Sequence, residues 1–168
     1  MQFRTERLEI KPITQDDRER VLDLLTSHTV GETYMLPVYQ NREEAEPLFR
    51  RLVTLSSDAS RYVAGVYLDG QFIGMMNDPE IKNKQIEVGY AYLPDYYNNG
   101  YATEAFKGAI DYLLAQGFET VIAGAFRENA ASLRVMEKCG MTKQSYTDEI
   151  QYRGATYTCI YYAIGKEK

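Results

Sequence analysis

At 168 residues, 45% apolar and 26% charged, the chain has the makeup of one folded domain spanning 1–168, not of a disordered or fibrous protein. Its net charge of -5 excludes a general nucleic-acid binder, which carries a basic face. Two cysteines outside any CxxC spacing (Cys139, Cys159) and a lone histidine (His28) leave too little for a disulfide framework, a metal site or a histidine-centred triad. No run approaches the roughly 18 apolar residues of a membrane span, and the first seven residues lack a signal peptide's apolar core, so a cytoplasmic protein with no membrane partner is expected.

In chain order, Arg7 to Lys11 alternates polar and apolar residues and predicts a half-buried strand that Pro12 ends. Thr14 and Asp17 form a capping-box pair ahead of a helix with Val21, Leu22, Leu24 and Leu25 on its inner stripe. A loop is expected over 28–40. A second helix is expected over 42–56, with Asn41 and Glu44 as start signals and Pro47 blurring its beginning. Residues 62–68 and 71–75 read as a hairpin turning at Asp69-Gly70, which suits the two positive-φ positions of a type I′ turn.

A polar loop over 77–84 precedes a strand from Ile86 to Leu93, with Ile86, Val88, Tyr90 and Tyr92 on one face and Glu87 on the other. Apolar residues at 102, 105, 106, 109, 110, 113 and 114 trace one face of a helix that Gly117 ends. A strand over 120–125, a helix over 130–138 opened by Asn129 and closed by Gly140, and a hairpin of 144–152 with 155–164 complete the chain. Helices among mostly antiparallel strands make a mixed α/β, or α+β, domain.

The turn Asn98-Asn99-Gly100, between a strand and the helix at 102, leaves unpaired amides at the positive end of that helix. Asn and Gly accept the left-handed conformation that gathers such amides into an anion-binding concavity, although a plain strand-to-helix turn has the same composition. Neither a Walker loop nor a three-glycine dinucleotide fingerprint is present, which counts against ATP and NAD.

The segment Val88-Gly89-Tyr90-Ala91-Tyr92-Leu93-Pro94, followed by Tyr97-Asn98-Asn99-Gly100-Tyr101-Ala102-Thr103-Glu104-Ala105, resembles the acetyl-CoA motif of the GNAT acetyltransferases. Asn129-Ala130-Ala131-Ser132-Leu133-Arg134-Val135-Met136-Glu137-Lys138-Cys139-Gly140-Met141 and the opening Thr5-Glu6-Arg7-Leu8 are similar to segments of the branch that acetylates ribosomal-protein amino termini. The resemblance implies a GNAT-like fold: a central, mostly antiparallel twisted sheet flanked by helices, with a splayed parallel strand pair that holds acetyl-CoA. It implies an N-acetyltransferase with acetyl-CoA as co-substrate, no metal, and a protein N-terminus or small amine as acceptor. The alternative is a non-catalytic acyl-CoA sensor.

Carried over residue by residue, the resemblance assigns Asn98, Asn99, Gly100, Tyr101, Ala102 and Thr103 to the phosphates and Asn129 to the pantetheine arm. A backbone amide near Tyr92 or Leu93 serves the oxyanion. Glu87 takes the catalytic-base position, an exposed or salt-bridged carboxylate being the alternative. Ser132 takes the proton-donor position or contacts CoA, with a local backbone bond as the alternative. Two departures stand out: Asn98 replaces a frequent glycine, and Met136 replaces a tyrosine that protonates the leaving thiolate in many members. Tyr34, with Met35, Leu36 and Tyr39, either lines the acceptor pocket or anchors its loop. Similar proteins include homodimers, for which an unpaired edge strand would supply a surface.

Overall fold

The computed structural model describes residues 1–165. A short strand β1 (Phe3–Arg4), absent from the sequence reading, pairs antiparallel with β2 (Leu8–Lys11), whose Leu8 and Ile10 face inward. The Thr14 amide donates to Asp17 Oδ2 (2.8 Å) and opens a single 3-10 turn that leads into α1 (Arg18–Leu25). The expected loop at 28 instead begins with a one-turn helix, α2 (His28–Gly31), started by Ser27 Oγ accepting the Val30 amide (3.3 Å). Helix α3 (Arg42–Ser56) is capped by Asn41, whose Oδ1 accepts the Glu44 amide (3.0 Å). Pro47 lies inside α3 on its exposed side, a cost of about 3 kcal/mol against which Ala45, Phe49 and Leu52 are buried on the inner face.

Strands β3 (Ala64–Leu68) and β4 (Gln71–Asn77) form the expected hairpin, with Asp69 at φ 49° and Gly70 at φ 80°. The run 86–93, expected as one strand, is two. After β5 (Ile81–Lys82), a short strand inside the supposed polar loop, come β6 (Gln85–Glu87) and β7 (Gly89–Tyr92), which belong to different sheets. Strand β6 runs parallel to β8 (Thr120–Phe126), and the Val88 amide still reaches Ile122 O (2.8 Å). From Gly89 onward the chain pairs with β4 instead, while β8 stays with β10 (Ala155–Gly165). The parallel strands therefore part beyond Val88 and leave a wedge.

Helix α4 (Tyr101–Ala115) follows β7, α5 (Ala130–Lys138) follows β8, and β9 (Thr142–Tyr152) turns into β10 through Arg153 (φ 49°) and Gly154 (φ 79°). The sheet orders are β1-β2-β3-β4-β7 and β5-β6-β8-β10-β9. Alternation along β7 sends Tyr90 and Tyr92 to the α4 side and Ala91 to the other. On the first side Phe106, Ile110 and Leu113 pack against Ile73, Ile86, Val88 and Val121; on the second, α1, α2 and α3 cover Val63, Tyr67, Phe72 and Met75. This is the mixed α/β, mostly antiparallel arrangement with flanking helices and a splayed parallel pair that the resemblance implied. Among the described residues no helix is long and apolar enough to cross a membrane.

Candidate active site

Beyond β7 a 3-10 turn over Pro94–Tyr96 leads to Asn98 at φ 61° and Gly100 at φ 79°. Asparagine tolerates this left-handed backbone better than most residues, and Asn99 Nδ2 donates to Tyr97 O (2.8 Å) to hold the turn. Gly100 caps α4 without offering a side-chain acceptor, and the first intrahelical bond here runs from the Glu104 amide to Gly100 O (3.0 Å). The amides of Tyr101, Ala102 and Thr103 thus point out of the positive end of a 15-residue helix. A Cβ on Gly100 would meet only Arg7 Nη2, at 3.5 Å, so the front of the loop is open.

Two residues missed in the sequence brace this loop. The Arg7 amide (2.7 Å), Arg7 Nε (2.6 Å) and the Thr5 hydroxyl (2.6 Å) all donate to the Glu104 carboxylate. Arg7 Nη1 donates to Asn99 O (3.1 Å), and its guanidinium lies 4.6 Å from the Tyr101 ring centre. Burial alone would raise the Glu104 carboxyl, but the Thr5 and Arg7 hydrogen bonds and the Arg7 charge hold it below the ordinary range. Thr5-Glu6-Arg7-Leu8 was visible as a motif, and Glu104 as a first-turn acid, but nothing local joins positions 97 residues apart.

From the loop a cleft of about 750 Å3 runs through the wedge to the segment 29–35. The Val88 amide points at β8 and the Leu93 amide at Ile73 O of β4 (2.9 Å), so alternation turns the Tyr90 and Tyr92 amides toward the wedge. Of the two oxyanion donors anticipated, the Leu93 amide is committed to the sheet and the Tyr92 amide faces the cleft. The Tyr92 hydroxyl is buried without a hydrogen-bond partner among the described residues.

Helix α5 reaches the cleft with its first turn. Asn129 Oδ1 accepts the Ser132 amide (3.1 Å), the cap weighed against a cofactor contact; its Nδ2 makes no hydrogen bond among the described residues. Ser132 Oγ is 2.8 Å from the Tyr90 hydroxyl, a pairing between a helix and a strand that no spacing foretold. Burial lifts the Tyr90 phenol well above its ordinary range and keeps it protonated. Met136 is fully buried in the core and outside the cleft wall. Cys139 is a buried thiol that burial pushes up to about 11.

At the other end, Tyr34 faces the cleft and its hydroxyl donates to Asn77 Oδ1 (2.7 Å). Glu87 is half-buried where the cleft meets a smaller cavity of about 150 Å3 that also touches Glu80, Asp148, Tyr146 and Tyr161. Burial first, then the charges of Glu80 and Asp148, raise its carboxyl above the ordinary carboxylate range, and it makes no ion pair among the described residues. No group of three or more potential metal ligands is found among the described residues. The cleft thus joins the open amides of a helix N-terminus, a strand edge left without a partner among the described residues, and a carboxyl that burial and neighbouring charges raise above its ordinary range.

Residues 7–142 match the acetyltransferase (GNAT) domain. The uncharacterized N-acetyltransferase YoaA of Bacillus subtilis (strain 168) is 25% identical over 170 residues, covering 98% of this chain and 96% of that protein. A GNAT-family acetyltransferase from Bacillus anthracis has a similar structure, with a TM-score of 0.84 at 25% identity over 98% of each chain. RimL, a ribosomal L7/L12 α-N-protein acetyltransferase solved in complex with coenzyme A, shares the fold at a TM-score of 0.86 and 14% identity, with 98% of each chain covered. A family match over most of the chain, spanning the loop, the wedge and α5, means that the protein belongs to the GNAT acetyltransferase family.

Proposed function

We propose that the protein transfers an acetyl group from acetyl-CoA to a primary amine, on a protein N-terminus or a small molecule, by direct attack on the thioester. The observation that carries this reading is that a bare helix N-terminus and the free edge of β7 open into one cleft with Glu87 at its far end. The residues fit the co-substrate: amides over 98–103 suit a pyrophosphate, and Gly100 holds no side chain in front of them. The β7 edge suits the amides of a pantetheine arm lying like an added strand. Bound there, acetyl-CoA supplies an acetyl thioester open to nucleophilic attack.

Asn98, Asn99, Gly100, Tyr101, Ala102 and Thr103 hold the phosphates, and Asn129 Nδ2 donates to the arm. The Tyr92 amide stabilises the oxyanion. Glu87 accepts the amine proton, directly or through water. With a pKa near 8, an α-amine is already about one-tenth neutral at pH 7, whereas a lysine near 10.4 depends far more on the base. Glu80 and Asp148 beside Glu87 favour the approach of a cationic amine and disfavour an anionic one. Ser132, backed by the Tyr90 hydroxyl, returns a proton to the thiolate, a role that Met136 cannot fill because it has no such proton and lies in the core.

Met136 is also the observation that favours the second reading, an acyl-CoA sensor without turnover. Thermal melts with acetyl-CoA, CoA, ATP and NAD, followed by thiol release with spermidine and an alanine-initiated tripeptide, test both. A ligand at a hundred times its dissociation constant adds about 2.7 kcal/mol and raises the melting point by about 5–10 °C. A shift with both CoA forms and not with ATP or NAD, plus thiol release, supports transfer. A shift without release from either amine favours the sensor, and no shift sinks both.

A further inference from the structure

The tip of the β9–β10 hairpin is held against the segment 31–36. The Tyr152 hydroxyl donates to Gly31 O (2.5 Å), accepts from the Leu36 amide (3.2 Å), and stands 3.3 Å from both Tyr34 O and Leu36 O. One hydroxyl has one proton, and at Leu36 O Arg153 Nη2 supplies a second donor (3.3 Å). The Arg153 guanidinium occupies the space left by the missing side chain of Gly31, where a Cβ would lie 2.4 Å from Nη2. Behind the hydroxyl, the Tyr152 ring packs on Phe126 (5.9 Å) and Tyr157 (6.4 Å) of the second sheet. Two adjacent side chains thus tie a loop that follows a one-turn helix to a sheet more than a hundred residues away in sequence.

Residues 29, 30 and 32–35 wall the cleft, and within that wall Tyr34 bonds Asn77 and its ring lies 3.7 Å from where a Cβ on Gly89 would stand, two residues from Glu87; Tyr152 and Arg153 stand behind that wall and do not line the cleft. A base that removes a proton from an amine must lie beside the amine, so the wall next to Glu87 belongs to the acceptor and not to the co-substrate. We infer that Tyr152 and Arg153 are positioning residues that latch the 29–35 wall in the shape the acceptor amine meets, and so set acceptor affinity without touching acetyl-CoA. The latch stands on geometry alone; naming the acceptor as its beneficiary rests on the transfer reading above.

The test uses the full chain, with Tyr152→Phe, Arg153→Ala, Gly31→Ala and the Gly31→Ala/Arg153→Ala double variant. Readouts are hydrogen exchange of the segment 28–36 and steady-state kinetics with spermidine and the alanine-initiated tripeptide. Tyr152→Phe keeps the ring packing and removes only the hydroxyl. It should speed exchange in 28–36 about fivefold, leave α4 and β8 unchanged, and raise the acceptor KM about fivefold at constant acetyl-CoA KM. Gly31→Ala should evict the guanidinium and match Arg153→Ala, and the double variant should be no worse than either single one.

Unchanged exchange in Tyr152→Phe would overturn the latch. Faster exchange with an unmoved acceptor KM, or with an equal rise in acetyl-CoA KM, would overturn its role in acceptor affinity. Wild-type protein that acetylates neither amine would defeat the transfer reading and the acceptor half of this inference together, while the exchange data alone decide the latch.

Discussion

The two ends of the cleft are built by different means. The end proposed for the phosphates is local: one turn of chain from Tyr97 to Thr103, two left-handed residues and the first turn of α4. The end proposed for the acceptor gathers side chains from 29–35, Asn77, Glu87 and the β9–β10 hairpin, which meet only in the folded sheet. The first uses backbone amides, which any sequence with the right φ angles presents; the second uses side chains, each of which has to be specified separately. Substitutions at one end should therefore alter one substrate's kinetics and leave the other's intact.

The largest separation is expected at Glu87. Glu87→Gln should lower turnover by about 10²-fold, the low end for a general base, and should remove the acid limb of the pH–rate profile. Its stability effect has the opposite sign. Because the folded carboxyl is raised, the wild type loses stability as pH climbs from the ordinary carboxylate value through the raised one. A permanently neutral glutamine escapes that loss, so the variant should melt higher at pH 7 and alongside the wild type at pH 3. A variant less stable at pH 7 with turnover intact would make Glu87 a structural carboxylate instead.

Gly100→Val tests the other end. A β-branched residue at φ 79° costs about 1–2 kcal/mol and covers the amides. Acetyl-CoA affinity by calorimetry should fall about tenfold or more with the acceptor KM unmoved; unchanged affinity would remove the loop from the phosphate site.

Glu104→Gln weakens the brace behind the loop. The folded Glu104 carboxyl is depressed, so its stabilisation is present above the unfolded value near 4.3 and is lost as pH falls through the depressed one. The variant should melt lower at pH 7, show a flatter acid limb in melting point against pH, and bind acetyl-CoA about threefold more weakly. The smallest effect is expected for Ser132→Ala, a loss of about threefold in turnover at constant acetyl-CoA KM; no change would free Tyr90 and Ser132 from proton donation.

Where the fold departed from the sequence reading, the cause is tertiary in each case. Alternation continues unbroken through Ile86, Val88, Tyr90 and Tyr92, and all four lie on the α4 side. What changes at Val88 is the partner, from β8 to β4, and no local pattern encodes a partner. Helix α2 is too short for its periodicity to register, and β1 and β5 have two residues each. Asn98, Gly100 and the cap at Asn129 in the site, like the cap at Asn41 outside it, were legible because each acts within three residues of itself. Arg7 with Glu104, Ser132 with Tyr90, and Tyr152 with Gly31 were not, because each joins residues 42 or more positions apart.

The sequence by itself determined the four longer helices, the two hairpins, the left-handed loop at 98–100 and the family to which they point, since side-chain periodicity, capping and positive φ act over a single turn. The tertiary structure alone decided where the parallel strands part, what braces the loop at 98–100 and what ties the segment 31–36 to the β9–β10 hairpin, because strand pairing and side-chain contacts depend on which distant segments the buried core brings together.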